Sequence, residues 1–146
     1  MPELVRGVAW HRYPKATRLM ITADGGGSNS SRSRLWKAAL QDLADDLQME
    51  LQVCHFPPGT SKWNKIEHRL FCLITKNWRG HPLTSYQTIV NLIGSSTSKT
   101  GLTVRAAMDT NDYPPGQKVS DKQLAAIHCV PSEFHGEWNY TIHPRQ

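Results

Sequence analysis

Residues 55–71 read HFPPGTSKWNKIEHRLF, and this stretch decides how the middle of the chain folds. A β-run ends at His55-Phe56, and the Pro57-Pro58-Gly59 break stops it, because proline lacks the N–H that a sheet requires. A helix then begins. At about 100° per residue it places its one acid, Glu67, inside an arc of apolar side chains. That arc consists of Trp63, Ile66, Leu70, Leu73, Ile74 and Trp78.

Glu67 has no basic neighbour one turn away in its own helix. The positions three and four residues to either side hold Trp63, Asn64, Leu70 and Phe71, so no lysine or arginine can pair with the acid there. A buried carboxylate without a partner costs several kcal/mol unless another charge or a metal ion compensates it. The side chain therefore either leans out to water at the edge of the arc or faces a cation, and the helix alone leaves both open.

The composition indicates one basic domain. The 146 residues suit a single domain, and the 17 lysines and arginines exceed the 12 aspartates and glutamates, which gives a net charge of +5. This balance favours a polyanionic partner without requiring one, since many basic proteins bind none. The three cysteines have no framework spacing, no signal peptide opens the chain, and no apolar run approaches the roughly 20 residues of a membrane span. We therefore expect a cytoplasmic protein without a membrane partner.

The first half of the chain predicts a parallel sheet. Residues 17–23 read as a buried strand that runs into Asp24 and three glycines, and residues 30–47 read as a helix that Asn29 or Ser30 can cap. A second strand over residues 50–56 and a second helix over residues 61–78 follow. Strand, helix, strand and helix joined by short turns predict a βαβα unit with parallel strands.

The remainder predicts further helices and strands. Thr84 with Gln87 matches a capping box for a third helix, and Ser120 with Gln123 matches one for a short fourth helix. Alternating patterns predict strands over residues 102–108 and 138–142, and residues 1–16 read as the end of a helix.

Asp24 and Glu67 both follow strands of the parallel unit. They should lie at the carboxyl edge of the sheet, where open α/β sheets place their ligand sites. Two carboxylates there can hold Mg²⁺, and a pair of such ions can activate a water or a 3′-hydroxyl and stabilise the leaving oxygen of a phosphodiester. From the pattern alone, an ordinary α/β protein with an Asp-Gly turn explains the same residues equally well.

Several segments resemble the DDE transposase family of the Rhodopirellula type. They are ADGGGSN at residues 23–29, CHFPPGTSKWNKIEHR at 54–69, NWRG at 77–80 and FHGEWNY at 134–140. The proline-rich entry followed by Asn-x-Ile-Glu is shared more loosely with the mariner-like superfamily. The resemblance covers nearly the whole chain. It implies an RNase H-like catalytic core that cuts and joins insertion-element DNA with two Mg²⁺ (or Mn²⁺) ions.

The resemblance also assigns roles to individual residues. Asp24 matches the family's second catalytic aspartate and Glu67 its glutamate, so both would be catalytic and metal-binding. Asn64, one turn before Glu67, would orient that carboxylate or a metal-bound water. Lys62, Lys65 and Arg69 are centred opposite the apolar arc and are candidates for contacts with DNA phosphates, although a solvated helix face explains them as well.

The chain departs from the family pattern before Asp24. The family carries its first catalytic aspartate on a leading β-hairpin, and the only acid upstream of Asp24 here is Glu3. We therefore expect a partial RNase H-like α/β fold without that hairpin in residues 1–80, and a family-specific helical and β extension packed on it in residues 81–146. The chain would be inactive alone and would need a full-length transposase or an upstream fragment. The alternative is a non-catalytic remnant that only binds DNA or pairs with a full-length transposase.

Two other chemistries are weaker. His68 and Cys72 lie four residues apart, with Cys54 and His55 upstream, which supplies ligands suited to zinc but no Cys-x-x-Cys pair. The glycines after Asp24 could cradle a phosphate, but they lack the Gly-Lys-Ser/Thr ending of a nucleotide-binding loop.

Overall fold

A computed structural model describes residues 13–57 and 59–145. The predicted helix end over residues 1–16 falls almost wholly outside these residues. The elements in chain order are β1 (Arg18–Ala23), α1 (Arg34–Leu47), β2 (Glu50–His55), α2 (Lys65–Trp78), α3 (Tyr86–Gly94), α4 (Asp121–Ala125), β3 (Cys129–Pro131) and β4 (Asn139–Ile142). Single 3₁₀ turns at Gly27–Asn29 and Ser61–Trp63 precede α1 and α2.

The four strands form one mixed sheet in the order β1-β2-β4-β3. β1 and β2 are parallel, with Arg18 opposite Glu50 and Ala23 opposite His55. β2 pairs antiparallel with β4, and β4 pairs antiparallel with β3. The predicted α/β class is confirmed, and the sheet with its helices is compatible with a partial RNase H-like fold.

The chain divides into two compact units. Residues 1–61 and 116–146 form the first, called here the sheet unit, and residues 62–115 form the second, called the helical unit. The sequence predicts a boundary at residue 80, between a family core and its extension. That boundary concerns regions of the family and not compact units, so it stays a prediction.

The core of the sheet unit lies between α1 and the sheet. Its buried apolar side chains are Leu40, Leu43, Ala44, Leu47, Met49, Leu51, Val53, Tyr140 and Ile142. α1 buries one stripe at the spacing of three to four residues that its sequence predicts, while β2 and β4 bury alternate residues. Gln41, only 1% exposed, hydrogen-bonds the His143 carbonyl and the His128 amide, so this buried amide ties α1 to the C-terminal strands.

The helical unit has little buried apolar surface. α2 and α3 pack together, and Ile74 is the one buried apolar side chain among the described residues of this unit. Asn77 Nδ2 donates to the Leu92 carbonyl at 2.6 Å and to Ser95 Oγ at 2.9 Å. A polar side chain therefore joins α2 to the end of α3.

The structure corrects several predicted boundaries. α1 begins at Arg34 because Ser33, rather than Asn29 or Ser30, accepts the cap hydrogen bond, from the Trp36 amide. Ser85, rather than Thr84, caps α3. The capping box of Ser120 and Gln123 is confirmed.

One predicted strand is absent from the structure, and one observed strand was not predicted. Residues 102–108 form no strand, since their alternating pattern finds no neighbour to complete a ladder in the described sheet. β3 was missed because it is three residues long and includes Pro131, which is tolerated only at a sheet edge. In the described part of the chain, no helix has the length and apolar character needed to span a bilayer.

Candidate functional site

Asp24 lies at the carboxyl end of β1, directly after the last residue of the β1–β2 ladder. The Phe56 amide donates to the Ala23 carbonyl at 2.8 Å, which closes the ladder beside Asp24. A Cβ on Gly25 would lie 3.2 Å from the Phe56 carbonyl oxygen, so this position suits glycine. The local backbone therefore holds the ends of the two parallel strands close together at the acid.

One oxygen of the Asp24 carboxylate, Oδ1, is buried and has no hydrogen-bond partner. It is the one such side-chain oxygen or nitrogen in the described part of the chain. Buried polar atoms are nearly always paired, because desolvation without compensation is unfavourable. A cation would supply the missing partner, and a carboxylate oxygen is the ligand type that Mg²⁺ prefers. The ligand chemistry of this one oxygen therefore suits a divalent metal.

A chain of aromatic side chains reaches the Asp24 backbone from within the core. Trp36 Nε1 donates to Tyr140 Oη at 3.0 Å, and Tyr140 Oη lies 3.0 Å from His55 Nε2. His55 Nδ1 lies 3.4 Å from the Asp24 carbonyl oxygen. Since that carbonyl can only accept, Nδ1 carries the proton, and Nε2 accepts the Tyr140 hydroxyl.

Burial keeps both titratable members of this chain neutral. Desolvation lowers the pKa of His55, against the hydrogen bond to the Asp24 carbonyl, which raises it. Desolvation also raises the pKa of Tyr140, to about 12. Lys37 lies over the Tyr140 ring, with its Nζ 5.3 Å from the ring centroid. At neutral pH the network thus consists of an uncharged imidazole and an uncharged phenol.

The sequence suggested His55 only as a possible zinc ligand, and its hydrogen bond to Asp24 was missed. The signal available was its position: Leu51, Val53 and His55 are the inward-facing residues of β2. A histidine at the third inward position must find polar partners, and the sequence does not reveal that Tyr140 of β4 provides one.

Glu67 lies in the first turn of α2, in the helical unit. Asn64 caps the helix, and its Nδ2 donates to Glu67 Oε2 at 2.6 Å. Asn64 Oδ1 in turn accepts from the Glu67 amide at 3.5 Å. The pair resembles a capping box in its reciprocity, and it fixes one carboxylate oxygen of Glu67.

The apolar arc expected around Glu67 is narrower than the sequence predicts. Trp63 is 55% exposed and Ile66 is 81% exposed, so neither helps to bury the acid. Glu67 is half-buried and shares its helix face with Leu70 and Ile74. Trp63 is absent from this face because α2 begins at Lys65 and Trp63 belongs to the preceding 3₁₀ turn.

The remaining predicted site residues are accessible. Lys62, Lys65 and Arg69 are exposed, as are His68 and Cys72 of the alternative zinc site. Across residues 13–57 and 59–145, no three histidine, cysteine, aspartate or glutamate side chains are grouped so that they could hold a metal ion. Asp24 belongs to the sheet unit and Glu67 to the helical unit.

The model of one protein family, the Rhodopirellula transposase DDE domain, matches residues 6–144. The chain belongs to this family. Membership of the Rhodopirellula transposase DDE domain family confirms the resemblance found in the sequence and supports a role in transposition. No curated protein and no solved structure gives a significant match. For this DDE domain, the unpartnered oxygen of Asp24 is therefore the main structural feature that indicates a functional site.

Proposed function

We propose that this chain is part of a DDE transposase that cleaves and rejoins insertion-element DNA, with Asp24 and Glu67 as catalytic ligands of Mg²⁺ or Mn²⁺. The observation that carries the proposal is the buried, unpartnered Oδ1 of Asp24, at the end of a parallel strand and within the family's Asp-Gly-Gly-Gly motif. A carboxylate at the carboxyl end of a parallel strand suits a hard divalent cation, which prefers oxygen ligands.

Asp24 and Glu67 would each bind the cation through one carboxylate oxygen. Asp24 would bind it through Oδ1, the atom that lacks any other partner. Glu67 would bind it through the oxygen that Asn64 leaves free, because the amide of Asn64 already occupies Oε2. The bound metal supplies activation of a water or hydroxyl nucleophile and stabilisation of the leaving oxygen.

DNA would be held in part by the exposed cations of α2 and the turn before it. Lys62, Lys65 and Arg69 are exposed, and the chain carries a net charge of +5. Each phosphate contact releases condensed counterions, so affinity falls with salt concentration. Changing Lys65 to glutamate should weaken binding to element-end DNA and flatten this salt dependence. Unaltered affinity in Lys65→Glu would assign these residues to a solvated helix face.

We also propose that these 146 residues do not catalyse strand transfer by themselves. The family's motif matches only Asp24 and Glu67, and the described part of the chain holds no group of three histidine, cysteine, aspartate or glutamate side chains that could bind a metal ion. A full-length transposase or an upstream fragment would supply the remaining carboxylate. Mg²⁺-dependent nicking by the purified chain, abolished in Glu67→Gln, would contradict this.

Mn²⁺-induced broadening of amide resonances tests the metal site directly, because it detects weak binding residue by residue. We expect Mn²⁺ to broaden Gly25 and Gly26 in the wild-type chain, and Asp24→Asn to weaken that effect at least tenfold in concentration, as loss of a carboxylate ligand should. Asp112→Asn, a change at an exposed acid, is the matched control and should titrate like the wild type. Equal titrations of Asp24→Asn and wild type would contradict the proposal.

A further inference from the structure

The Asp24 carbonyl is the first one beyond the β1–β2 ladder. The ladder ends where the Ala23 carbonyl accepts the Phe56 amide. One residue later, the Asp24 carbonyl lies 3.4 Å from the side-chain Nδ1 of His55. A side chain of β2 thus contacts the backbone just beyond the ladder, at the position that carries the unpartnered carboxylate.

We infer that His55 is a positioning residue, which fixes the backbone of Asp24 so that the carboxylate is oriented for the cation. This inference rests on the function proposed above for Asp24. His55 itself does not ligate the metal: Nδ1 faces the Asp24 carbonyl and Nε2 faces Tyr140, so both ring nitrogens are engaged.

The role of His55 is more specific than packing. The side chain is only 5% exposed and occupies the same inward row as Leu51 and Val53, where an apolar residue would fill the space without needing polar partners. A buried imidazole is unfavourable unless both nitrogens are paired. The presence of a histidine rather than an apolar residue at this position is explained if the bond to Asp24 is needed.

Trp36 and Tyr140 set which nitrogen of His55 carries the proton. The indole N–H of Trp36 can only donate, so it occupies a lone pair of the Tyr140 oxygen and leaves the hydroxyl proton for His55 Nε2. The imidazole must then be protonated at Nδ1 to bond the Asp24 carbonyl. The three side chains form a directed relay of hydrogen bonds from α1 through β4 and β2 to the end of β1.

Two near-isosteric substitutions separate the two ends of the imidazole. In His55→Asn the amide nitrogen takes the place of Nδ1 and keeps a donor for Asp24, whereas His55→Gln places its amide near Nε2 and loses that donor. Both changes remove part of the buried network. A purely structural role would therefore affect the two variants alike.

The measurement is the Mn²⁺ titration of the Gly25 and Gly26 amides in the full chain. We expect His55→Asn to titrate within about threefold of wild type and His55→Gln to require about tenfold more Mn²⁺, which is the usual effect of losing an outer-shell contact. Equal shifts in the two variants would overturn the inference. If Asp24→Asn also titrates like wild type, the proposed function fails as well, so the two failures are distinguishable.

The tautomer of His55 gives a second test that needs neither metal nor a variant of this residue. Long-range ¹⁵N–¹H correlation spectra should show the wild-type ring protonated at Nδ1. Tyr140→Phe should weaken this preference, because the hydroxyl that donates to Nε2 is gone and only the Asp24 carbonyl still favours a proton on Nδ1. A wild-type ring protonated at Nε2 would overturn the inference, even if the His55 variants do not fold.

Discussion

At the scale of single residues, the Asp24 side chain that we propose as a metal ligand should lower the stability of the metal-free chain. Its buried Oδ1 has no partner in the described structure, so the carboxylate should destabilise the chain when no cation is present. We expect Asp24→Asn, which keeps the shape and removes the charge, to raise the free energy of unfolding by roughly 1 kcal/mol. Urea unfolding in EDTA measures this, with Asp112→Asn as the control that should change little. A less stable Asp24→Asn would show that the carboxylate has an unseen partner.

Asp45 shows the opposite behaviour, because its carboxylate is fully paired. Burial raises its pKa, but hydrogen bonds from the backbone and side chain of Arg145 outweigh this effect and leave the pKa below its usual value. The Arg145 amide donates to Oδ1 at 2.7 Å and Nε donates to Oδ2 at 2.8 Å. These bonds join α1 to the end of the chain, and they require the charged carboxylate.

Because folding lowers the pKa of Asp45, the contribution of Asp45 to the free energy of unfolding decreases as the pH falls. The unfolded chain binds the proton more readily, so the contribution of Asp45 is complete above the unfolded pKa of about 4 and is lost as the pH falls through the lower folded pKa. We expect Asp45→Asn to cost about 1–2 kcal/mol at pH 6 and progressively less towards pH 3. Urea unfolding of both proteins across this range tests the prediction. A pH-independent cost would assign the effect to packing.

At the scale of secondary structure, the start of α1 depends on one hydroxyl. Ser33 Oγ accepts from the Trp36 amide at 3.2 Å, and Trp36 is also the first member of the relay to His55. We expect Ser33→Ala to lower the free energy of unfolding by about 1 kcal/mol, since the cap bond is lost. Asn29→Ala is the matched control, because Asn29 belongs to the preceding 3₁₀ turn and makes no cap bond. Equal losses in thermal or urea unfolding would contradict the assignment.

The elements of the sheet unit could be predicted because their periodicities are strong. α1, β1, β2 and β4 lie within a few residues of the predicted bounds, since each buries one face against a neighbour. Caps were less predictable, because serine and asparagine stand at several adjacent positions and only the backbone geometry selects one. The strand expected over residues 102–108 shows that alternation alone does not supply a partner strand.

The candidate site was predictable only where chain order determines it. Asp24 follows a strand and precedes glycines, so its location at the carboxyl edge was readable from the sequence. The role of His55 was not, because it depends on Tyr140, 85 positions away, and on Trp36, 104 positions before that tyrosine. Such contacts are set by the order of strands in the sheet, which local patterns do not encode.

At the scale of the whole molecule, apolar burial is distributed unevenly between the two units. All nine residues of the buried core cluster belong to the sheet unit. In the described part of the helical unit only Ile74 and Ser96 are buried, and the contacts between α2 and α3 include exposed hydrogen bonds such as that from Asn77 to Ser95. Local stability follows buried apolar contact, so the helical unit should open more easily.

Native-state hydrogen exchange measures this difference directly. We expect amides of β2, such as those of Leu51 and Val53, to exchange only on global unfolding, whereas amides of α3 should exchange through local opening. Low concentrations of urea should leave α3 exchange nearly unchanged and accelerate β2 exchange, because only the latter requires exposure of the core. Equal protection of the two elements would show that the chain unfolds as one cooperative body.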